Sequence, residues 1–220
     1  MSKTTGMDYE SKPRDYYENE REEMLEFLPA QVEHVLDVGC SNGNFGRMVK
    51  EKTGAEVQGI EPMKEFADLA SEQLDKVYTA TVEDAIAQLP DNYFDVIYCN
   101  DVLEHLVDPY SVLRSFKAKL KPGGRVISSI PNMRYFRSFF KLLFQGEWKH
   151  EDEGIMDRTH LRWFTQKSMV QLFEDQGYEV FEQKGINASK SLKPRLMNLL
   201  MLGGAADMKY MQFATVGVLK

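Results

Sequence analysis

Short apolar runs alternate with stretches of helical period along most of this chain. Positions 32–38 (VEHVLDV), 56–60, 77–78, 94–100 (FDVIYCN) and 125–130 read as five strands. The fourth is apolar on both alternating sets of positions, as expected of a strand buried on both faces. Between them, 45–52, 63–74 and 110–120 carry helical period, and the last of these meets the stop signal KPGG. A further short helix is expected over 21–28, ending near Pro29. This alternation predicts a parallel sheet covered by helices on both faces. The last third differs: a helix at 166–176, with Thr165 placed to cap it, precedes strands at 178–185 and 211–219. An irregular, partly apolar stretch joins these two strands, which predicts an antiparallel pair at one edge.

Composition narrows the class. In 220 residues the hydrophobic fraction is 43% and the charged fraction 28%, ordinary for a globular protein. The formal charge of -7 argues against a broad nucleic-acid-binding surface, so no nucleic-acid partner is expected. Cys40 and Cys99 are the only cysteines and lie in strand-like surroundings, which gives no support to a disulfide scaffold. The polar N-terminus lacks a signal-peptide run, and no segment approaches the roughly 20 apolar residues of a transmembrane helix. The expectation is a cytoplasmic protein.

The chemistry begins where the first strand ends. Asp37 is followed by Gly39, Cys40, Gly43 and Gly46 in DVGCSNGNFG, a strand-to-helix turn that lets backbone approach a ligand. The spacing is neither GxGxxG nor a triphosphate loop. Taken alone, it is equally an ordinary tight turn. Glu61, in QGIEP at the end of the second strand, is placed to accept both hydroxyls of a ribose. Residues 81–84 follow the third strand and Asn100 ends the fourth. Binding groups at several carboxyl ends of one parallel sheet form a consistent pocket.

In order, DVGCSNG, GIEP, VEDAIAQLPDNYFDVIYCNDVLEHLVDP and LKPGGRVISSIPN resemble the class I methyltransferases that use S-adenosylmethionine, closely over 32–132 and more loosely elsewhere. The resemblance implies a Rossmann-like α/β fold, with a mostly parallel seven-stranded sheet whose last strand is antiparallel. It implies S-adenosylmethionine as cofactor and S-adenosylhomocysteine as product. Asp37 and Gly39 would lie near the methionine part, with Cys40 and Gly43 in the same loop. Glu61 would bind the ribose hydroxyls, followed by Pro62, and Met63 would lie close to the adenine. Glu83, or the Val82 backbone, would face the adenine amino group, and Asn100 the reaction face. Tyr9, Tyr16 and Tyr17 would belong to an N-terminal lid or helix over 1–30, with Tyr17 at the cofactor. The catalytic domain would span 31–220, with cap insertions at about 133–162 and 187–210. Ser41 departs from the glycine often found in this loop.

Three histidines are candidate bases: His105 in DVLEH, and His150 and His160 in HEDEGIMDRTHLRWFT. The segment DRTHLRWFT resembles a subgroup associated with polysaccharide and glycosyl modification, so a sugar hydroxyl is the favoured acceptor. N-methylation of an amino sugar or another small metabolite, and a cofactor-binding module without turnover, stay open. A network of Asp157, Arg158 and His160 that merely pins the loop is the structural alternative. No ligand spacing defines a metal site, and none is expected. Residues 132–149 hold four basic residues against one acidic, and Lys190, Lys193 and Arg195 precede a second apolar run. These stretches predict a cap over the substrate, a homodimer interface or a peripheral membrane contact.

Overall fold

The computed structural model describes residues 21–219. Tyr9, Tyr16 and Tyr17, and with them most of the expected lid, lie outside the described residues. Seven strands form one sheet: β1 (His34–Val38), β2 (Glu56–Ile60), β3 (Lys76–Tyr78), β4 (Phe94–Asn100), β5 (Leu120–Pro131), β6 (Tyr178–Ala188) and β7 (Tyr210–Leu219). Their spatial order is β3-β2-β1-β4-β5-β7-β6. The pairs from β3 through β5 are parallel, and β7 runs antiparallel between β5 and β6. The late antiparallel pair is therefore present, with β6 at the edge and β7 inserted beside β5.

Seven α-helices connect the strands: α1 (Asn44–Thr53), α2 (Lys64–Ala70), α3 (Val82–Ala85), α4 (Pro109–Lys119), α5 (Phe136–Phe140), α6 (Gln166–Glu174) and α7 (Lys193–Leu200). Local chemistry sets their starts. Asp108 caps α4 by accepting from the Ser111 N–H at 3.0 Å, and Pro109 occupies the first turn, where a missing N–H costs nothing. Thr165 caps α6 reciprocally: its Oγ1 accepts from Ser168 N–H at 3.3 Å, while Ser168 Oγ accepts from Thr165 N–H at 2.8 Å. The segment expected as a helix at 21–28 is a tighter 3-10 turn, Glu22–Phe27.

Two apolar clusters cover the faces of the sheet. On one face, Phe45 and Val49 of α1, Ala70 of α2 and Met24 and Phe27 of the 3-10 turn pack on Val35, Val57, Val96 and Tyr98. On the other, α3, α4 and α6 bring Ala85, Phe116 and Phe173 onto Leu36, Ile97 and Val126. The alternation of β1 and β4 residues between clusters explains why those strands are apolar throughout. The apolar part of the basic 132–149 stretch is helical over 136–145. It is α5 followed by a π-helical turn, Lys141–Gln145, with Phe136 buried and Leu143 and Phe144 exposed. Among the described residues no helix is long and apolar enough to cross a membrane.

Close packing also fixes the start of the glycine loop. A Cβ on Gly59 of β2 would meet Cys40 Sγ at 2.5 Å and Leu74 Cδ1 at 2.8 Å. Gly59→Ala is expected to cost about 1–3 kcal/mol in urea unfolding, as over-packing does. Adding Cys40→Ala should recover part of that loss. A Gly59→Ala protein as stable as the parent would show that this contact relaxes at no cost.

Candidate functional site

The carboxyl ends of β1, β2 and β4 lie side by side, and the groups gathered there are mostly acids. Gly39 (φ 69°), Ser41 (φ 50°) and Gly43 (φ 84°) take left-handed conformations as the chain turns from β1 into α1. A Cβ on Gly39 would lie 2.8 Å from Val102 Cγ2, and one on Gly43 would lie 3.0 Å from Ala70 Cα. The glycines therefore serve close approach to neighbouring chain as well as backbone conformation. Ser41, the departure from glycine, tolerates this conformation within the folded loop. Its N–H donates to Glu61 Oε2 at 3.1 Å, and Met63 N–H donates to Oε1 at 2.9 Å. Glu61 is thus clamped between the two loops, with one lone pair on each oxygen left for a further donor. Burial pushes its pKa up, and those two N–H groups oppose the shift.

Asp37 is 3% exposed, and among the described residues its Oδ2 has no hydrogen-bond partner. Burial, then the charge of Glu61, pushes its pKa up to about 7. Asn100, at the end of β4, has neither its side-chain oxygen nor its nitrogen hydrogen-bonded among the described residues. Cys40 packs inward, and burial raises its thiol pKa well above the usual range, so it is no nucleophile. Pro62 follows Glu61 at the surface. Val82 is buried at the start of α3, beside the exposed Glu83. These residues line one rim of the sheet; Tyr17 lies outside the described residues.

The opposite wall comes from the turn after β4 and the late segment 150–165. His105 Nδ1 lies 3.1 Å from the Thr159 carbonyl, and His160 Nδ1 lies 3.0 Å from the Ile155 carbonyl. A carbonyl only accepts, so both Nδ1 atoms carry protons; in the neutral form of such a ring the lone pair is on Nε2. The two rings meet edge to face at 4.7 Å. The N–H groups of Leu161 and Arg162 both donate to the Glu104 carbonyl, at 2.9 and 3.0 Å, which locks the two segments together. Glu104 is 1% exposed; its Oε1 lies 4.0 Å from His160 Nε2, and among the described residues neither carboxyl oxygen has a hydrogen-bond partner. Burial, then the charge of Asp101, holds its pKa well above the carboxylate range. Ligand atoms of Glu104, His105 and His160 lie within 4.8 Å of one another, a donor set also compatible with a divalent ion.

His150 stands apart from that pair. It is exposed and stacked on Trp163 at 5.7 Å. The network expected of Asp157, Arg158 and His160 divides. Asp157 Oδ1 accepts from the N–H and hydroxyl of Thr159, at 2.8 and 2.7 Å, whereas exposed Arg158 pairs outward with Asp152. Sequence reasoning missed Arg21 and Asp101. Arg21 pairs with Asp101 Oδ2 and donates to Ser129 Oγ at 2.7 Å, and Gln212 Nε2 donates to Asp101 Oδ1 at 2.6 Å. Asp101 and Glu104 stand three residues apart within the DVLEH segment, a signal available in the sequence.

Comparison with known proteins follows the same outline. The family described as "Methyltransferase domain" matches residues 9–183. A Ubiquinone biosynthesis O-methyltransferase of Aeromonas salmonicida is 31% identical over 185 residues, covering 80% of this chain and 74% of that protein. A SAM dependent methyltransferase from Archaeoglobus fulgidus superimposes with a TM-score of 0.70 at 15% identity, over 94% of each chain. A Thermotoga maritima structure described as a possible histamine N-methyltransferase gives 0.64 at 19% identity, over 94% of this chain and 90% of that one. At such identities these two structures share the fold alone.

Asp37 generates a pH dependence. Its folded pKa of about 7 lies above that of an unfolded aspartate, so the folded chain holds the extra proton. Its contribution to stability therefore falls as pH rises from about 4 to 7. Asp37→Asn is expected to raise the melting midpoint of the ligand-free protein by roughly 10 °C at pH 8 and hardly at all at pH 4. Calorimetric scans at the two pH values check this; an equal shift at both would contradict it.

Proposed function

The chain belongs to the S-adenosylmethionine-dependent methyltransferases, and from that membership we propose that its small-molecule acceptor presents a hydroxyl oxygen, with a sugar hydroxyl favoured. When bound, S-adenosylmethionine supplies a sulfonium-activated methyl group and leaves as S-adenosylhomocysteine. The residues fit such a group. Glu61 has an acceptor site on each oxygen for the two ribose hydroxyls. Asp37 Oδ2 and the side chain of Asn100 are buried polar atoms without partners, as expected where a charged ligand completes the hydrogen bonding. The cofactor's ammonium and sulfonium charges would offset the cost of ionising Asp37 in a buried place.

The observation that carries the oxygen assignment is the edge-to-face contact of His105 with His160 beside buried Glu104. A sugar hydroxyl is a poor nucleophile until its proton is removed, whereas an amine needs less help. In this reading an imidazole Nε2 takes the hydroxyl proton as the oxygen attacks in line. The carbonyls of Thr159 and Ile155 hold the rings in the required tautomer. Burial raises the Glu104 pKa, and an imidazolium formed at His160, 4.0 Å away, would favour its charged form. Positioning supplies much of the remaining acceleration, since displacement at the methyl group needs no covalent help from the protein. The printed name of the Aeromonas relative, an O-methyltransferase, supports oxygen as the accepting atom. The DRTHLRWFT segment, which closes onto His105, supports a glycan acceptor.

His160→Ala should lower kcat about a hundredfold, within the range for loss of a general base, while cofactor affinity stays within about twofold. Turnover on nucleotide-linked sugars and on phenolic small molecules, with S-adenosylhomocysteine measured, provides the assay. Unchanged turnover would remove His160 as base and favour a nitrogen acceptor. Loss of activity on chelation, restored by a divalent ion, would assign the Glu104–His105–His160 cluster to a cation instead. Glu61→Ala should weaken cofactor binding at least about tenfold by calorimetry, the scale of one lost charge-assisted pair.

A further inference from the structure

Two neighbouring elements turn apolar side chains outward. On α7, Leu196, Leu199 and Leu200 follow Leu192 at helical spacing, and Leu192, Leu199 and Leu200 are each more than 70% exposed. Only the other side of the helix is used internally, where Met197 packs on the small cluster of Phe136, Ala205 and Met208. That cluster joins α7 to the segment carrying exposed Leu143, Phe144 and Trp148. Arg134 ties the same elements, donating to the Gly204 carbonyl at 2.9 Å. Both elements therefore carry groups of exposed apolar side chains, beyond the scattered single residues normal on a protein surface.

On the α7 side the charge is opposite to that of the chain. Residues 188–205 contain Lys190, Lys193 and Arg195 and no acid, in a protein of net charge -7. These three, with Arg137 and Lys149, are exposed and have no ion pair among the described residues. A cap closing on substrate would turn the leucines inward. In a two-fold dimer the patch would meet itself and oppose like charges. An anionic lipid surface satisfies both features: acyl chains take the leucines and the aromatic side chains, and headgroups take the cations.

We propose that the outward face of α7 and the turn after α5 form a docking surface for an anionic membrane. This goes beyond the assignment of the acceptor and does not depend on it. The test is cosedimentation of the full chain with phosphatidylcholine vesicles, with and without about one-third phosphatidylglycerol, at low and high salt. Binding is expected at least about tenfold tighter with the anionic lipid and weakened by salt. Leu199→Glu with Leu200→Glu should abolish it, and Lys190→Glu with Lys193→Glu should weaken it. Both variants change exposed positions, so the melting midpoint and S-adenosylmethionine affinity should hold. Equal binding to neutral and anionic vesicles, or undiminished binding by both variants, would overturn the proposal. So would a dimer in sedimentation equilibrium that the leucine variant disrupts while vesicles go unbound.

Discussion

Asp37, Glu61, Asp101 and Glu104 are brought together at the carboxyl ends of β1, β2 and β4, and burial opposes the charged form of this group. The fold answers that cost unevenly. Glu61 receives two backbone N–H groups, and Asp101 receives Arg21 and Gln212. Asp37 Oδ2 and both oxygens of Glu104 receive nothing. The uncompensated acids flank Asn100, whose side chain is also without a hydrogen bond among the described residues. A stable sheet with a well-filled core on each face is what holds such groups in position.

The acceptor wall depends on contacts distant in sequence. The turn that carries Glu104 and His105 receives hydrogen bonds from Leu161 and Arg162, and the two histidines are each fixed by a carbonyl of the late segment. Asp157 secures that segment locally through Thr159. The loop-pinning role is thus carried by Nδ1 of each histidine, held by a carbonyl of the late segment.

Apolar residues divide between two uses. Those of the sheet and of α1, α4 and α6 satisfy the core. Most of those on α7 and on the π-helical turn after α5 stay exposed, with Met197 and Ala205 joining Phe136 and Met208 in a small separate cluster. Hydrophobicity alone does not distinguish the two uses. The lysines and arginines around the second set do, since desolvating them in a core would be costly.

Much of the architecture was legible from the chain because strand and helix periods are local. The first five strands, the cap at Thr165 and the glycine turn after Asp37 all follow from neighbours within a few residues. So did the order of Asp37, Glu61 and Asn100 along the sheet rim, since parallel strands deliver their ends to one side. Helix α7 was hidden in an apparently irregular stretch, because eight residues with an outward apolar face lack a core-facing signature. Only the tertiary structure decided that His160 rather than His150 meets His105, that Arg21 reaches Asp101, and which leucines face solvent. Each of these is a meeting, or a failure to meet, between segments far apart in sequence. Periodicity specifies which face of an element is apolar; what lies against that face is set by how the whole chain closes.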